Sequence, residues 1–412
     1  MHYYRILHPN KTIQSSDMPN KLNFLPFVLV FIISCSKKYD ANPLVQKEIT
    51  VAQVLNLPDV PYDYATLSLP SFFTIADLAG TPTILLDTDN NPSTNPITNT
   101  GATLGRVLFY DKNLSLNRTI SCSSCHQPQF GFSDSSVLSK GFAGVATRRN
   151  SMSLINSRFY VRGRFFWDER AATLEDQVLM PVQDQTEMGM TLISLVQRVQ
   201  EQGYYKNLFT AAFGDTAVNS QKISRALSQF VRSIISYNSK YDIGRALVNG
   251  RQAAFPNFTA EENLGKQLYL TPVQNGGAGC FGCHTTEAFV SAIGGPQNNG
   301  LDETSTTDLG AGETFNRNPA FAGKFKTTTL RNVELTSPYM HDGRFKTLEA
   351  VIEHYNSGIK NHPNLAGALK DADNNPLQLH LTVAQKAALV AFLKTLTDKT
   401  LAVNTKYITP FR

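Results

Sequence analysis

Cys122-Ser123-Ser124-Cys125-His126 is the stretch around which the rest of the chain is organised. It reads Cys-x-x-Cys-His, the attachment pattern of a c-type haem. Two thiols one turn apart reach the two vinyl groups of one porphyrin, and the adjacent histidine is left beneath the iron as its proximal ligand. The pattern recurs as Cys280-Phe281-Gly282-Cys283-His284. A single Cys-x-x-Cys reads equally as a redox dithiol or as half of a zinc site. Two copies, each ending in His, with no further cysteine pair to complete a tetrahedral zinc site, point to two covalently bound c-type haems.

The chain has 412 residues, enough for a leader and two domains with a core each. Its net charge of +5 is spread along the sequence, and no basic, aromatic-interleaved stretch suggests nucleic acid as a partner. Of five cysteines, four belong to the two motifs, so no disulfide framework is expected. The fifth, Cys35, ends an apolar run from Leu22 to Ser34 that follows Lys21. A basic residue, a short apolar stretch and a small residue before the cut make a secretory signal over 1–34, with Met18 read as the true start. Its end, Ser34-Cys35-Ser36, resembles a bacterial lipoprotein signal, with Cys35 as the lipidated first residue and 35–60 as a tether. An uncleaved membrane anchor is the other reading; the run is short for a span, and Pro26 interrupts it. Either way the bulk of the chain is exported, which places it in the periplasm and suits covalent haem.

Past a proline-punctuated lead-in, Leu104-Gly105-Arg106-Val107-Leu108-Phe109 has apolar residues at helical spacing and precedes the first motif, with Leu104 18 positions before Cys122. Leu264-Gly265-Lys266-Gln267-Leu268-Tyr269 precedes the second, with Leu264 16 positions before Cys280. This is an internal repeat of a helix–loop–haem unit. It predicts a mainly α fold of two cytochrome c-like domains, over 61–250 and 251–412, packed around a junction with a linker near Gly250–Pro256. Amphipathic helices are expected around Leu192, Leu195, Val196 and Val199, and around Ile223, Leu227, Phe230, Val231 and Ile234. Thr382-Val383-Ala384-Gln385 has the form of a capping box opening a helix with Leu389, Phe392, Leu393 and Leu396 on one face. Strand-like alternation is scarce.

The eight histidines are His2, His8, His126, His284, His341, His354, His362 and His380, so none lies between the two motifs. The first iron therefore has no second histidine from its own segment. Met152, Met180, Met188 and Met190 read as core or loop packing, which leaves the first haem five-coordinate or water-bound. An open position permits chemistry on a small oxygen ligand, whereas a doubly ligated haem passes electrons.

The stretches Phe166-Trp167-Asp168-Glu169-Arg170-Ala171, Leu174-Glu175-Asp176-Gln177, Pro181 and Glu187-Met188-Gly189 resemble the bacterial dihaem cytochrome c peroxidases. So do Phe325-Lys326-Thr327, Leu330-Arg331-Asn332, Ser337-Pro338-Tyr339-Met340-His341-Asp342-Gly343 and Thr347-Leu348-Glu349. The resemblance spans about residues 100–400. It implies that Glu187 is the acid–base residue of the first haem's open side and Gln177 its companion glutamine. With no histidine available there, a carboxylate is the natural group to move a peroxide proton. It implies that Trp167, the chain's one tryptophan, lies between the two haems, and that Asn150, Thr336 and Pro338 hold a hydrated calcium ion through oxygen atoms.

Two departures matter. Where activatable family members carry a histidine that closes the resting first iron, this chain has Phe142, so an open site without a ligand switch is expected. The family's usual outer methionine of the second haem aligns with Tyr355, as in the tryptophylquinone-maturing dihaem oxidases. Met340 is an alternative ligand and His354 a weaker one. Phenolate ligation lowers the potential and favours high-valent iron, and thioether ligation raises it. The leading expectation is a peroxidase that reduces hydrogen peroxide at the first haem, with electrons from a small cytochrome c or copper protein entering through the second. The alternatives are a dihaem oxidase acting through high-valent iron on a protein or other substrate, and a plain dihaem electron carrier. A homodimer is the family's common assembly.

Overall fold

The computed structural model describes residues 51–74, 85–292 and 294–412. The signal, Met18 and Cys35 lie outside these residues. The described residues form one compact unit. Among the described residues six helices reach nine residues or more: α1 (Asn99–Tyr110), α2 (Leu192–Gln200), α3 (Tyr204–Phe213), α4 (Ser220–Arg232), α5 (Ala260–Leu270) and α6 (Val383–Lys394). Among the described residues β structure is confined to isolated bridges. The fold is mainly α, as the scarcity of alternation implied.

Side-chain caps set where these helices begin. Thr98 accepts from the Gly101 amide at 3.0 Å to open α1, and Asn219 accepts from Lys222 at 2.8 Å to open α4. The Thr382–Gln385 capping box is present at the start of α6, and Thr259 with Glu262 forms another at α5.

The helices build two hydrophobic cores. In the first, α1 packs across α4, burying Leu104, Val107 and Phe109 against Ile223, Leu227 and Phe230. In the second, α5 packs across α6, burying Leu268 and Tyr269 against Leu389, Phe392 and Leu393. The two crossings share one device. A Cβ on Gly105 would lie 2.0 Å from the Ala226 carbonyl oxygen, and a Cβ on Gly265 would lie 1.9 Å from that of Ala388. Phe230 and Phe392, each four residues beyond that alanine, close over the glycine. The repeat is therefore a pair of crossed helices, both members of which were expected from the sequence, though not that they cross.

Several expectations shift. Leu264, the counterpart of buried Leu104, is 39% exposed, because α5 turns that position away from its partner. Ile234 lies beyond the end of α4 but remains in the first core. The stretch read as a linker packs firmly: Phe255 is buried in the second core, and Lys266 Nζ donates to the carbonyls of Arg251 and Ala253. Within the stretch read as a tether, Leu55 is buried and pairs with Phe411, and Asn56 donates to the Pro410 carbonyl at 2.7 Å. The chain is thus anchored from Val51 onward.

Candidate haem sites and their electron bridge

The first motif is a single helical turn, Cys122–Cys125. Ser124 Oγ accepts from the Ser121 amide at 3.0 Å, and the His126 amide donates to the Cys122 carbonyl at 3.0 Å. Phe132, buried beneath the following loop, presents its carbonyl to His126 Nδ1 at 3.0 Å. A carbonyl only accepts, so Nδ1 carries the proton and Nε2 is the nitrogen left for a metal. The second motif repeats this, with His284 Nδ1 3.2 Å from the Phe289 carbonyl. Burial depresses the basicity of both imidazoles, His284 down to about 4, which keeps them in the neutral, metal-binding form. None of the four motif cysteines is paired in a disulfide.

Each histidine opens into its own cavity. The first, about 360 Å³, is lined by Cys125, His126, Trp167, Gln177 and Glu187, while Cys122 packs against the first core. The second, about 260 Å³, is lined by Cys280, Cys283, His284, Met340 and Tyr355 among apolar residues such as Ile352, Leu389 and Leu393. A neutral imidazole with its outer nitrogen free, thiols one turn before it and an adjoining void are what a covalently held haem requires. The residues present fit that group twice.

Glu187 reaches the first cavity from a turn pinned by Asp184, whose carbonyl accepts from the amides of Glu187 (3.1 Å) and Gly189 (2.9 Å). Burial, with a smaller contribution from the Asp184 charge, pushes its carboxyl up to about 7, against the pull of Arg170. A carboxyl that titrates near neutrality beside a cavity suits proton transfer. Gln177 ends the turn Leu174–Gln177, which Thr173 caps. The ring of Phe142 is not in the cavity wall. It packs on Gly189, where a Cβ would come within 2.4 Å of it, while its amide donates to the Glu187 carbonyl at 2.8 Å. Met188 and Met190 are buried in the first core, and Met180 packs against it. Met152 does line the cavity, but its neighbour Ser151 contacts His126 Nδ1 at 3.3 Å, so it sits beside the proximal histidine.

Trp167 lines both cavities. Its indole N–H donates to the Asn150 carbonyl at 2.8 Å, its own carbonyl accepts from the Lys326 amide at 2.8 Å, and its ring meets His341 edge-on at 6.4 Å. Lys326 also belongs to both walls. Its buried ammonium lies 3.9 Å from the Tyr160 ring centroid and 4.6 Å from that of Phe165, and donates to the Arg164 carbonyl at 3.2 Å. The sequence quoted Lys326 inside a motif but gave it no role.

Asn150, Thr336 and Pro338 each line the wall of the second cavity. The Asn150 amide nitrogen donates to the carbonyls of Ser136 and Val137, both at 3.1 Å, leaving its side-chain oxygen as the available donor atom. Among the described residues no cluster of three carboxylates, histidines or cysteines could hold a metal ion. Oxygen donors without a carboxylate fit a hydrated hard cation at most. Tyr355 sits on a π-helical turn, His354–Gly358, that continues the helix Leu348–Glu353. Met340, at φ 76°, lines the same cavity. His354 faces away, with Nε2 3.0 Å from the Asn299 carbonyl.

A family model described as "Di-haem cytochrome c peroxidase" matches residues 99–250. The chain is 31% identical to a methylamine utilization protein MauG of Methylophilus methylotrophus over 76% of its length and 87% of the relative's. It is also 31% identical to the cytochrome c551 peroxidase of Nitrosomonas europaea, over 72% of this chain and 79% of that one. Among solved structures, a MauG-like protein associated with microbial copper homeostasis shares 32% identity at a TM-score of 0.68, covering 84% of this chain and 99% of the other. With two haem-attachment patterns, a carboxylate-bearing first cavity and these relatives, the chain is a member of the di-haem cytochrome c peroxidase family, to which the MauG proteins also belong.

Proposed function

We propose that this oxidoreductase is a periplasmic peroxidase that reduces hydrogen peroxide in the first cavity with electrons passed through the second. The observation that carries this reading is Glu187, held near neutrality in the same cavity as His126 and Gln177. A haem held by Cys122, Cys125 and His126 would supply the electrons that cleave the O–O bond. The chain's own residues do the rest. Glu187 accepts a proton from one peroxide oxygen and delivers it to the other, which leaves as water, and the oxygen left behind takes two electrons and two solvent protons to leave as the second water. The Gln177 amide orients the peroxide. Cys280, Cys283 and His284 hold the second haem, Trp167 spans the wall between the two, and Asn150, Thr336 and Pro338 hold a hydrated calcium ion that braces the junction. Phe142 on Gly189 offers no ligand to close the first site, which favours activity without prior half-reduction.

A second reading is an oxidase that spends the same oxidising equivalents on a protein or other substrate, and the similarity to MauG proteins together with Tyr355 at the second cavity favours it. A plain electron carrier has no use for Glu187. Export and a lipid anchor rest on the apolar run before Cys35 and on the need to attach haem outside the cytoplasm. The deciding experiment is steady-state peroxide reduction by reduced cytochrome c, with the protein as isolated and half-reduced. Turnover in both states supports the peroxidase with an open site. Turnover after half-reduction alone refutes the open resting site, and none in either state refutes the peroxidase.

A further inference from the structure

Tyr355 and Met340 are rivals for the outer position of the second haem, and the structure puts a third side chain between them. The Asn299 amide nitrogen lies 3.4 Å from the Tyr355 hydroxyl and 3.5 Å from the Met340 sulfur. That nitrogen carries two hydrogens, one for each neighbour. Its backbone is held as well: the Asn299 carbonyl accepts from His354 Nε2 at 3.0 Å, and the flanking Asn298 side chain accepts from the Gly300 amide at 2.9 Å and donates to the Gly323 carbonyl at 2.8 Å. Asn299 itself lines the second cavity with His284.

We propose that Asn299 is the positioning residue that selects Tyr355 over Met340 as the outer ligand. The inference rests on the reading that His284 and one of these two residues hold the second haem. A hydrogen bond to an anionic oxygen is roughly twice as strong as one to a neutral acceptor, and a thioether sulfur is a weak acceptor. An amide placed between the two therefore stabilises a bound phenolate and gains little from a bound thioether. By engaging the sulfur it also occupies electron density that the iron would otherwise draw on. The donor thus favours the anionic, low-potential ligand and keeps the thioether in reserve beside it.

The test uses the purified dihaem protein, with electron paramagnetic resonance and the red charge-transfer absorption of thioether-ligated ferric haem as readouts. The wild type is expected to show mainly tyrosine ligation, with any thioether-ligated fraction a measurable minority. In Asn299→Leu, which removes both donated hydrogens, the tyrosine-to-methionine ratio at the second haem should fall roughly tenfold or more, the size of one charge-assisted hydrogen bond. The first haem's signals should stay in place. Asn299→Asp keeps the shape and replaces the donor with a carboxylate, so it should shift the ratio the same way even if the leucine variant assembles poorly. Adding Met340→Leu to either variant should abolish the thioether signature. A wild type ligated by Met340, or an unchanged ratio in both Asn299 variants, overturns the inference. If Tyr355→Phe and Met340→Leu each leave the second haem's spectrum unaltered, the ligand reading itself has failed, and the inference with it.

Discussion

At the scale of single residues, Glu187 is the titratable group on which the proposed chemistry of the first cavity rests. Desolvation penalises its charged form and the Asp184 carboxylate adds to the penalty, so the proton stays on until about pH 7. A carboxyl acting as base must first be deprotonated, so the sign is fixed: kcat/KM for peroxide should fall as the pH drops below about 7 and level off above it. Glu187→Gln keeps the size, cannot titrate, and should lower the rate by about 10²–10⁴-fold while removing that acid limb. A variant that keeps both the rate and the limb would show that another group moves the proton. From sequence alone Glu187 reads as an ordinary loop charge. Its place in the family's motif singles it out, and only the folded turn shows that it is half-buried with a like charge beside it.

At the scale of elements, the two helix crossings depend on glycines that the sequence displays as a repeat without giving the reason. Gly105 and Gly265 each sit against a backbone carbonyl of the crossing helix, too close for a side chain to fit between. Gly265→Ala must push α5 and α6 apart. It should destabilise the holoprotein by about 1–3 kcal/mol, the usual cost of overpacking a core, measured by thermal or denaturant unfolding. Gly367→Ala, where an added Cβ meets nothing within 4 Å, is the matched control and should be close to neutral. Equal stability of the two variants would mean that the crossing can relax without cost. The apolar stripes of α4 and α6 were legible from their spacing. The partner of each was not, because periodicity marks a buried face without saying what buries it.

At the scale of the whole molecule, the order of the chain and the grouping of its cores diverge. The last dozen residues follow the second haem motif yet complete the first core. Leu401 and Tyr407 are buried there, the Tyr407 hydroxyl donates to the Ser233 carbonyl at 2.8 Å, and the Tyr110 hydroxyl donates to the Tyr407 carbonyl at 2.6 Å. Arg106, 2% exposed, donates to the Thr405 carbonyl at 2.8 Å. Tyr407→Ala should therefore cost about 3–5 kcal/mol, as for other large aromatic truncations. Hydrogen exchange should quicken in α1 and α4 and stay slow in α5 and α6; the opposite pattern would refute this assignment. The two halves are also joined by Arg149, which pairs with Asp168 at 2.6 Å and with Asp308 at 2.7 Å. These pairs span the wall that carries Trp167.

The sequence by itself determined the local matters: two haem-attachment turns, the α class, the helix faces and caps, and the absence of a histidine between His126 and His284. Each of these depends on residues a few positions apart, where spacing translates directly into geometry. The tertiary structure alone decided what depends on residues far apart. It brought Tyr355, Met340 and Asn299 to one amide nitrogen, set Lys326 in the wall shared by both cavities, raised the Glu187 carboxyl by burying it, and returned the C-terminus to the first core. Burial and meeting are properties of the packed chain, and no count along the sequence contains them.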